Sequence, residues 1–278
     1  MTNSVHTNNS AAIALQNLTR TNERLGDVQG RISTGLKVQG AKDNAAIWAI
    51  AQGQRADVGA LGAVKQSLDR ATSIADVALS AGESISDLLN QLKEKVVAAR
   101  DDSLNTQSRQ LLDNDFRALL RALASQVANS SFDGANLLNG SLTNGIQFLA
   151  NADASSFVTL SAQDLSLSGA IIELSLSDSL TTLTGATQAL TRLDNSITQL
   201  NASLGSIGAQ AKQIEAHSSF VTKLMDTLES GIGNLVDADL AKESARLQAL
   251  QVQQQLGAQS LSIANQAPQI ILSLFRGG

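Results

Sequence analysis

The feature that most constrains the fold is an unbroken ladder of apolar and small residues, spaced alternately three and four apart, between residues 183 and 228. Its members are Leu183, Ala186, Leu190, Leu193, Ile197, Leu200, Leu204, Ile207, Ala211, Ile214, Ser218, Val221, Met225 and Leu228. A repeat sustained over this many turns predicts one long helix with coiled-coil packing. At 1.5 Å per residue the helix is roughly 70 Å long. We expect it to return antiparallel along earlier helices, which brings the two chain ends together.

The earlier part of the chain carries signals for three more helices. Gly35 is suited to end the first helix, and Asp43 and Asn44 can cap a second that begins at Ala45. The second helix is expected to reach about Arg100, with a buried stripe at Ile74, Ala78, Ala81, Ile85, Leu88 and Leu92. A third helix follows, with a stripe at Leu112, Phe116, Leu119, Leu123 and Val127.

The middle of the chain changes character. The pairs Asp133-Gly134 and Asn139-Gly140 indicate turns. Apolar residues then alternate with polar ones between residues 145 and 176, which favours one or two β-hairpins. The predicted fold class is therefore mainly α, a long antiparallel helical rod of coiled-coil type with a small β-hairpin region in mid-chain.

Composition excludes several functional classes. The chain has 20 Lys and Arg against 25 Asp and Glu, a net charge of −5, so it offers no basic field for nucleic acid or an anionic membrane. It has no Cys, which excludes disulfides and thiol chemistry. No apolar run approaches the ~18 residues of a membrane span. The first 17 residues lack the basic and apolar regions of a secretory signal peptide.

Both ends of the chain lack charge. Residues 1–19 and 247–275 contain no Lys, Arg, Asp or Glu, and the C-terminal stretch mixes apolar residues with glutamines. Its apolar residues fall on more than one helical side, so such a helix needs neighbours on more than one side. The N-terminal stretch has a matching stripe at Ala11, Ala14, Leu18, Leu25, Val28 and Ile32. We expect the ends to pair as helices inside a polymer; alternatively they are disordered in the monomer and order on assembly.

Searches for a catalytic or metal site fail. His6 and His217 are the two histidines, and no zinc-protease helix, nucleophile elbow or phosphate loop occurs. The acidic doublets, such as Asp101 and Asp102, are typical of solvated faces or helix caps. The sequence therefore predicts a structural protein, with no enzyme activity, cofactor or metal.

Three segments together resemble bacterial flagellins. They are RISTGLKV at 31–38 followed by AKDNAA at 41–46, FDGANLLNG at 132–140, and LSIANQAPQIILSLFR at 261–276. The likeness is to the alphaproteobacterial type, in a short form without a large variable outer domain. It implies an extracellular filament subunit for swimming, exported unfolded through the flagellar type III channel. The implied partners are further copies of the chain, other flagellins, an export chaperone, and the cap and hook-associated proteins, with no nucleic acid or membrane.

The resemblance also implies roles for particular residues. The tails would line the filament core, with packing residues Leu18, Leu25, Val28, Leu247, Leu250, Leu256, Leu261, Ile263, Leu274 and Phe275. The connector residues would be Arg31, Gly35 and Asp43. The implied division is a tail helix and connector at 1–42, a helical rod with hairpins at 43–180, a return helix at 181–234 and a C-terminal tail at 235–278.

Two further expectations concern recognition by other molecules. Many flagellins carry an arginine motif read by an animal Toll-like receptor; in the matching stretch, with Leu88 and Glu94, Gln91 stands where an arginine is expected. The resemblance thus predicts weak or absent receptor activation. The alternative function is a cell-surface binding or adhesion protein on a flagellin scaffold, although one Trp and six Phe offer little aromatic platform.

Overall fold

The computed structural model describes the backbone of residues 7–276 and the side chains of residues 7–266. Its elements are α1 (Asn9–Thr34), α2 (Ala45–Ala99), α3 (Thr106–Asn129), β1 (Ile146–Leu149), β2 (Phe157–Leu160), α4 (Leu183–Val236) and α5 (Leu240–Arg276). The predicted mainly α class with a small hairpin is confirmed. The chain forms two compact units, one of Met1–Ala56 with Thr227–Gly278 and one of Asp57–Asp226. Helices α2 and α4 contribute residues to both.

In the first unit, local capping chemistry sets the ends of α1. The Asn8 side chain accepts a hydrogen bond from the backbone N–H of Ala11, as an N-cap residue does. Gly35 follows the helix with φ +71°, the left-handed conformation that glycine adopts without a Cβ clash. The predicted end of the first helix is therefore confirmed.

The connector after α1 is tied to the start of the segment between α4 and α5. The backbone N–H of Lys37 donates to the carbonyl of Val236 at 2.7 Å, and that of Ala238 donates to the carbonyl of Gly35 at 2.8 Å. Leu36 and Asp237 form an isolated antiparallel bridge. These bonds hold the connector against residues 236–238 through a single bridge, and no strand forms there.

Asn44, not Asp43, caps α2. The Asn44 Oδ1 accepts from the Ile47 N–H at 3.1 Å. Asp43 instead accepts from the N–H groups of Gln39 and Gly40 at 2.8 and 3.1 Å, so its carboxylate closes the connector loop. The prediction that Asp43 shares the cap is wrong because these two N–H groups occupy its carboxylate. The beginning of α2 at Ala45 is as predicted.

In the second unit, the core forms between the stripes of α2, α3 and α4. The predicted long helix is confirmed as α4, which extends beyond the ladder to Val236, although the first ladder residue, Leu183, is 43% exposed. Its most deeply buried ladder members in this unit are Ala186, Leu193, Leu200, Ile207, Ala211, Ile214 and Val221. At one position of the predicted α2 stripe, Leu89 is buried, whereas the predicted Leu88 is only half-buried. Leu88 and Leu89 both fit a helical spacing between Ile85 and Leu92, so packing against the neighbouring helices selects Leu89.

The hairpin comes from part of the predicted strand region. β1 and β2 pair antiparallel, with Ile146 opposite Leu160 and Leu149 opposite Phe157. The alternation that ends near residue 176 forms no second hairpin, since Ile172 makes only a single bridge with Leu167. Ile172 is nonetheless fully buried, so the apolar residues there pack into the core from an irregular segment.

Two buried charged side chains on α3 hold neighbouring backbone in the second unit. Arg109 donates to the carbonyls of Ala99 and Asp101, both at 2.7 Å, and so satisfies groups at the C-terminal end of α2. Asp113 accepts from the N–H of Leu180 and from Nε of Arg117, also at 2.7 Å. The hydrogen bond from Leu180 to Asp113 fixes the segment that leads into α4.

Candidate self-association surface

The two tail helices α1 and α5 pack against each other within the first unit. The Asn8 side-chain amide donates to the carbonyl of Ala264 at 2.7 Å. Further along, Gln254 Nε2 donates to Asn22 Oδ1 at 2.8 Å. Because the residue numbers rise on α1 as they fall on α5, the helices run antiparallel.

One side of each helix faces the other across a seam. The half-buried or buried seam residues from the predicted packing set are Leu18, Leu25, Val28, Leu247, Leu250 and Leu261. A Cβ on Gly257 would lie 3.3 Å from Leu18 Cδ1, so glycine lets the helices approach closely here. These predicted packing residues therefore lie between α1 and α5 of the same chain.

The outer sides of the same helices expose large apolar residues. They are Ile13, Leu15, Val252, Leu256 and Ile263, each between 55% and 63% exposed. No Lys, Arg, Asp or Glu lies between residues 7 and 19 or between 247 and 266. An exposed apolar surface with amides and without charge is typical of a protein–protein interface. We call these five residues the outer apolar set.

The outer apolar set contains two residues of the predicted packing set and three that lie outside that set. Leu256 and Ile263 were predicted; Leu274 and Phe275 lie outside the described side chains. Ile13, Leu15 and Val252 were not proposed as packing residues. The available signal was that Ile13 and Leu15 lie off the inward stripe of an uncharged helix, which leaves them exposed.

A buried carboxylate lies where α1 and α5 meet the connector. Glu243 is 5% exposed, and its Oε1 accepts from Arg246 at 2.9 Å and lies 3.7 Å from Arg31. Its other oxygen, Oε2, is buried without a hydrogen-bond partner in the structure. Of the predicted connector residues, Arg31 faces this carboxylate, while Gly35 and Asp43 shape the backbone. Glu243 was missed, although an acid in the first turn of a helix is a known stabilising pattern.

The receptor-like stretch lies on α2 in the second unit. Leu88 is half-buried, while Gln91 and Glu94 are exposed. The neighbouring Lys93 pairs with Asp194 of α4 at 2.7 Å.

Other kinds of site find no support among the described residues. No group of three or more His, Asp or Glu in this part of the chain could hold a metal ion. None of the described helices is long and apolar enough to cross a membrane. His217 bonds to the carbonyl of Ala150 at 2.8 Å and lies beside Phe220, as expected for a partly buried histidine. His6 lies outside the described residues.

Comparisons with known proteins match both the N-terminal and the C-terminal helical parts of the chain. Residues 5–143 match the bacterial flagellin N-terminal helical region, and residues 190–275 match the bacterial flagellin C-terminal helical region. The chain is 52% identical to flagellin FljJ of Caulobacter vibrioides over 277 residues, covering 99% of both chains. It is 40% identical to a flagellin of Brucella melitensis over 282 residues, again covering 99% of both.

The fold also resembles a solved structure. A putative flagellar hook-associated protein from Vibrio parahaemolyticus aligns with a TM-score of 0.58 at 10% identity. The alignment covers 70% of this chain and 100% of that one. At this identity the likeness concerns the fold alone.

Proposed function

The chain belongs to the bacterial flagellin family, and on that premise we propose how its paired tail helices build a polymer. As a short flagellin of alphaproteobacterial type, it is a structural subunit that polymerises into the extracellular flagellar filament for motility. The observation that carries the mechanism is the outer apolar set, which lies on the uncharged stretches 7–19 and 247–266 of the helix pair. We infer that this set is buried against the tail helices of neighbouring copies.

The helix pair has two apolar surfaces with different tasks. The seam joins α1 to α5 inside one copy, and the outer apolar set is left for contacts between copies. Fully burying a Leu or Ile contributes about 1.5–3 kcal/mol, so residues that are already partly covered contribute about 1–2 kcal/mol each. The surrounding glutamines can form hydrogen bonds in a crowded interface, where an unpaired charge would be costly. Repetition along a helical polymer multiplies these modest contacts.

We propose that the filament core consists of residues 1–42 and 235–278, and that residues 43–180 and 181–234 form the surrounding layer. Export in an unfolded state and contacts with an export chaperone and with cap and hook-associated proteins are further parts of the proposal. The adhesion alternative has no feature in its favour among the described residues.

Leu256→Asp tests the interface. Leu256 is 57% exposed, so the variant is expected to keep the monomer fold. In a polymer the substitution removes about 1–2 kcal/mol of apolar burial and adds several kcal/mol for desolvating an unpaired carboxylate. Since each 1.4 kcal/mol changes an equilibrium tenfold, the critical concentration for polymerisation should rise more than a hundredfold. Sedimentation and electron microscopy of seeded monomer would measure it.

Leu111→Asp is the matched control, because Leu111 is 63% exposed and belongs to the second unit. It should polymerise at a critical concentration close to that of the parent chain. Normal filaments from Leu256→Asp would refute the role given to the outer apolar set. Circular dichroism of both monomers checks that neither substitution unfolds the chain.

A further inference from the structure

A groove of about 470 Å³ opens between α1 and α5 in the first unit. Its charged and polar lining residues are Arg24, Asp27, Arg31, Arg246 and Gln253. We call it the arginine groove. A second, more polar pocket of about 380 Å³ shares Asp27 and Arg31 and leads to Lys37 and Asp43 in the connector. Together they gather four charged residues of the helix pair, Arg24, Asp27, Arg31 and Arg246, next to the connector.

The charges in the arginine groove do not balance. Three guanidinium groups face one lining carboxylate, Asp27. Glu243 compensates part of this charge, because its Oε1 accepts from Arg246 at 2.9 Å and lies 3.7 Å from Arg31. The side chain of Arg24, which is exposed, makes no ion pair or hydrogen bond with any described residue. The groove therefore presents at least one guanidinium with its donors free.

The arginine groove lies on the same side of the helix pair as part of the outer apolar set. On α1, Arg24 lies eleven residues after Ile13, which is close to three helical turns, so both fall on one stripe. On α5, Gln253 lies on the same stripe as Arg246, whereas Leu256 and Ile263 follow Arg246 by ten and seventeen residues and so lie about 80–100° further around the helix. On α1 this face is thus cationic at Arg24, near the connector, and apolar at Ile13, nearer the chain end.

We propose that the arginine groove receives a carboxylate from a second copy of this chain in the filament. The inference rests on the proposed function, since the adjoining apolar part of the face is the proposed interface between copies. A second copy is the occupant that fits, because it carries 25 acidic residues against 20 basic ones and would meet both parts of the face at once. A guanidinium binds a carboxylate through two parallel hydrogen bonds, which adds direction as well as attraction. Apolar burial provides the affinity, and the charged part sets the register between copies.

Arg24→Gln and Arg24→Glu test the proposal in the full-length chain. Because the Arg24 side chain is exposed and has no partner among the described residues, neither variant should change monomer unfolding. The critical concentration should rise about tenfold in Arg24→Gln, from the loss of one charge-assisted contact, and further in Arg24→Glu through repulsion. Raising the NaCl concentration from 0.05 to about 0.5 M should narrow the gap between parent and variants, because salt screens such contacts. Arg121→Glu, an exposed arginine of the second unit, is the matched control and should polymerise normally.

The outcomes separate this inference from the proposed function. A parent chain that forms no filaments, or a Leu256→Asp variant that forms them normally, counts against the proposed interface as a whole. If the parent and both Arg24 variants form filaments at the same critical concentration at every salt level, the role proposed for the arginine groove is refuted, while the proposed interface stands. Easier polymerisation of Arg24→Glu would also overturn it, since that result means that the groove meets a cation.

Discussion

Asp113 is expected to be the most consequential single carboxylate for the stability of the second unit. It is 6% exposed; its two oxygens accept from the Leu180 N–H and from Arg117 Nε, each at 2.7 Å. Arg117 in turn donates to the carbonyl of Leu176 at 3.0 Å. The pair therefore fastens the segment before α4 to α3.

Asp113→Ala removes both acceptors at once. The buried Leu180 N–H is left without a partner, which costs about 1–3 kcal/mol. The charge-assisted bond to Arg117 adds about 1 kcal/mol, reduced because this arginine is a third exposed and can be hydrated. We expect the free energy of unfolding to fall by about 2–4 kcal/mol. Asp115→Ala is the matched control, since Asp115 pairs with Lys95 on the exposed side of the same helix and should cost less than about 1 kcal/mol.

The pH dependence follows from the pKa of Asp113. Burial alone would raise this pKa, but the hydrogen bonds from Arg117, the Leu180 N–H and Ser179 outweigh burial and lower it below the usual value. A lowered carboxyl pKa stabilises the fold above the unfolded-state pKa of about 3.9, and this contribution is lost as the pH falls through the folded-state pKa. The difference between parent and Asp113→Ala should thus be full at pH 7 and shrink below about pH 4.

Urea unfolding of the monomer, followed by circular dichroism at several pH values, measures both effects. The reasoning fails if Asp113→Ala and Asp115→Ala unfold at the same urea concentration at pH 7. It also fails if the destabilisation by Asp113→Ala grows as the pH is lowered.

Two further predictions concern the first unit and receptor recognition. Gly35→Ala should lower the free energy of unfolding by about 1–2 kcal/mol because φ is +71°, whereas Gly26→Ala, inside α1 with open space around it, should raise it by up to about 1 kcal/mol; urea unfolding compares the two, and equal effects would contradict the argument. The monomer should activate a flagellin-sensing Toll-like receptor weakly or not at all in a cell reporter assay, since Gln91 replaces the expected arginine, and potency like that of an enterobacterial flagellin would contradict this.

The elements that could be predicted are those set by local chemistry or by long periodicity. Gly35 and Asn44 mark helix ends through conformations and hydrogen bonds that involve only nearby residues. The ladder on α4 is long enough that its helical period is unambiguous. The Asp43 error is local, since the N–H groups of Gln39 and Gly40 occupy its carboxylate, whereas the missing second hairpin depends on more distant packing. The apolar residues near Ile172 are buried as expected, but no neighbouring strand is present to pair with them.

The candidate site, too, could be predicted from the sequence only in part. Its lack of charge and its apolar stripes are visible in the sequence, and so is the family resemblance that names the tails as packing segments. The sequence could not separate seam residues such as Leu250 from outer residues such as Leu256, because each helix has apolar residues on several sides. Whether an apolar residue of α5 belongs to the seam or to the outer apolar set depends on which side of α5 is covered by α1.

The sequence by itself determined that this chain is a helical structural subunit with uncharged ends, since periodicity, capping residues and charge are properties of the chain as written. The tertiary structure alone decided that Glu243 is buried beside Arg31 and Arg246, and that the Arg24 side chain has no partner among the described residues on the face that it shares with Ile13. Such facts depend on residues more than 200 positions apart. They are settled only when packing brings α1 and α5 together and removes one side of each helix from water.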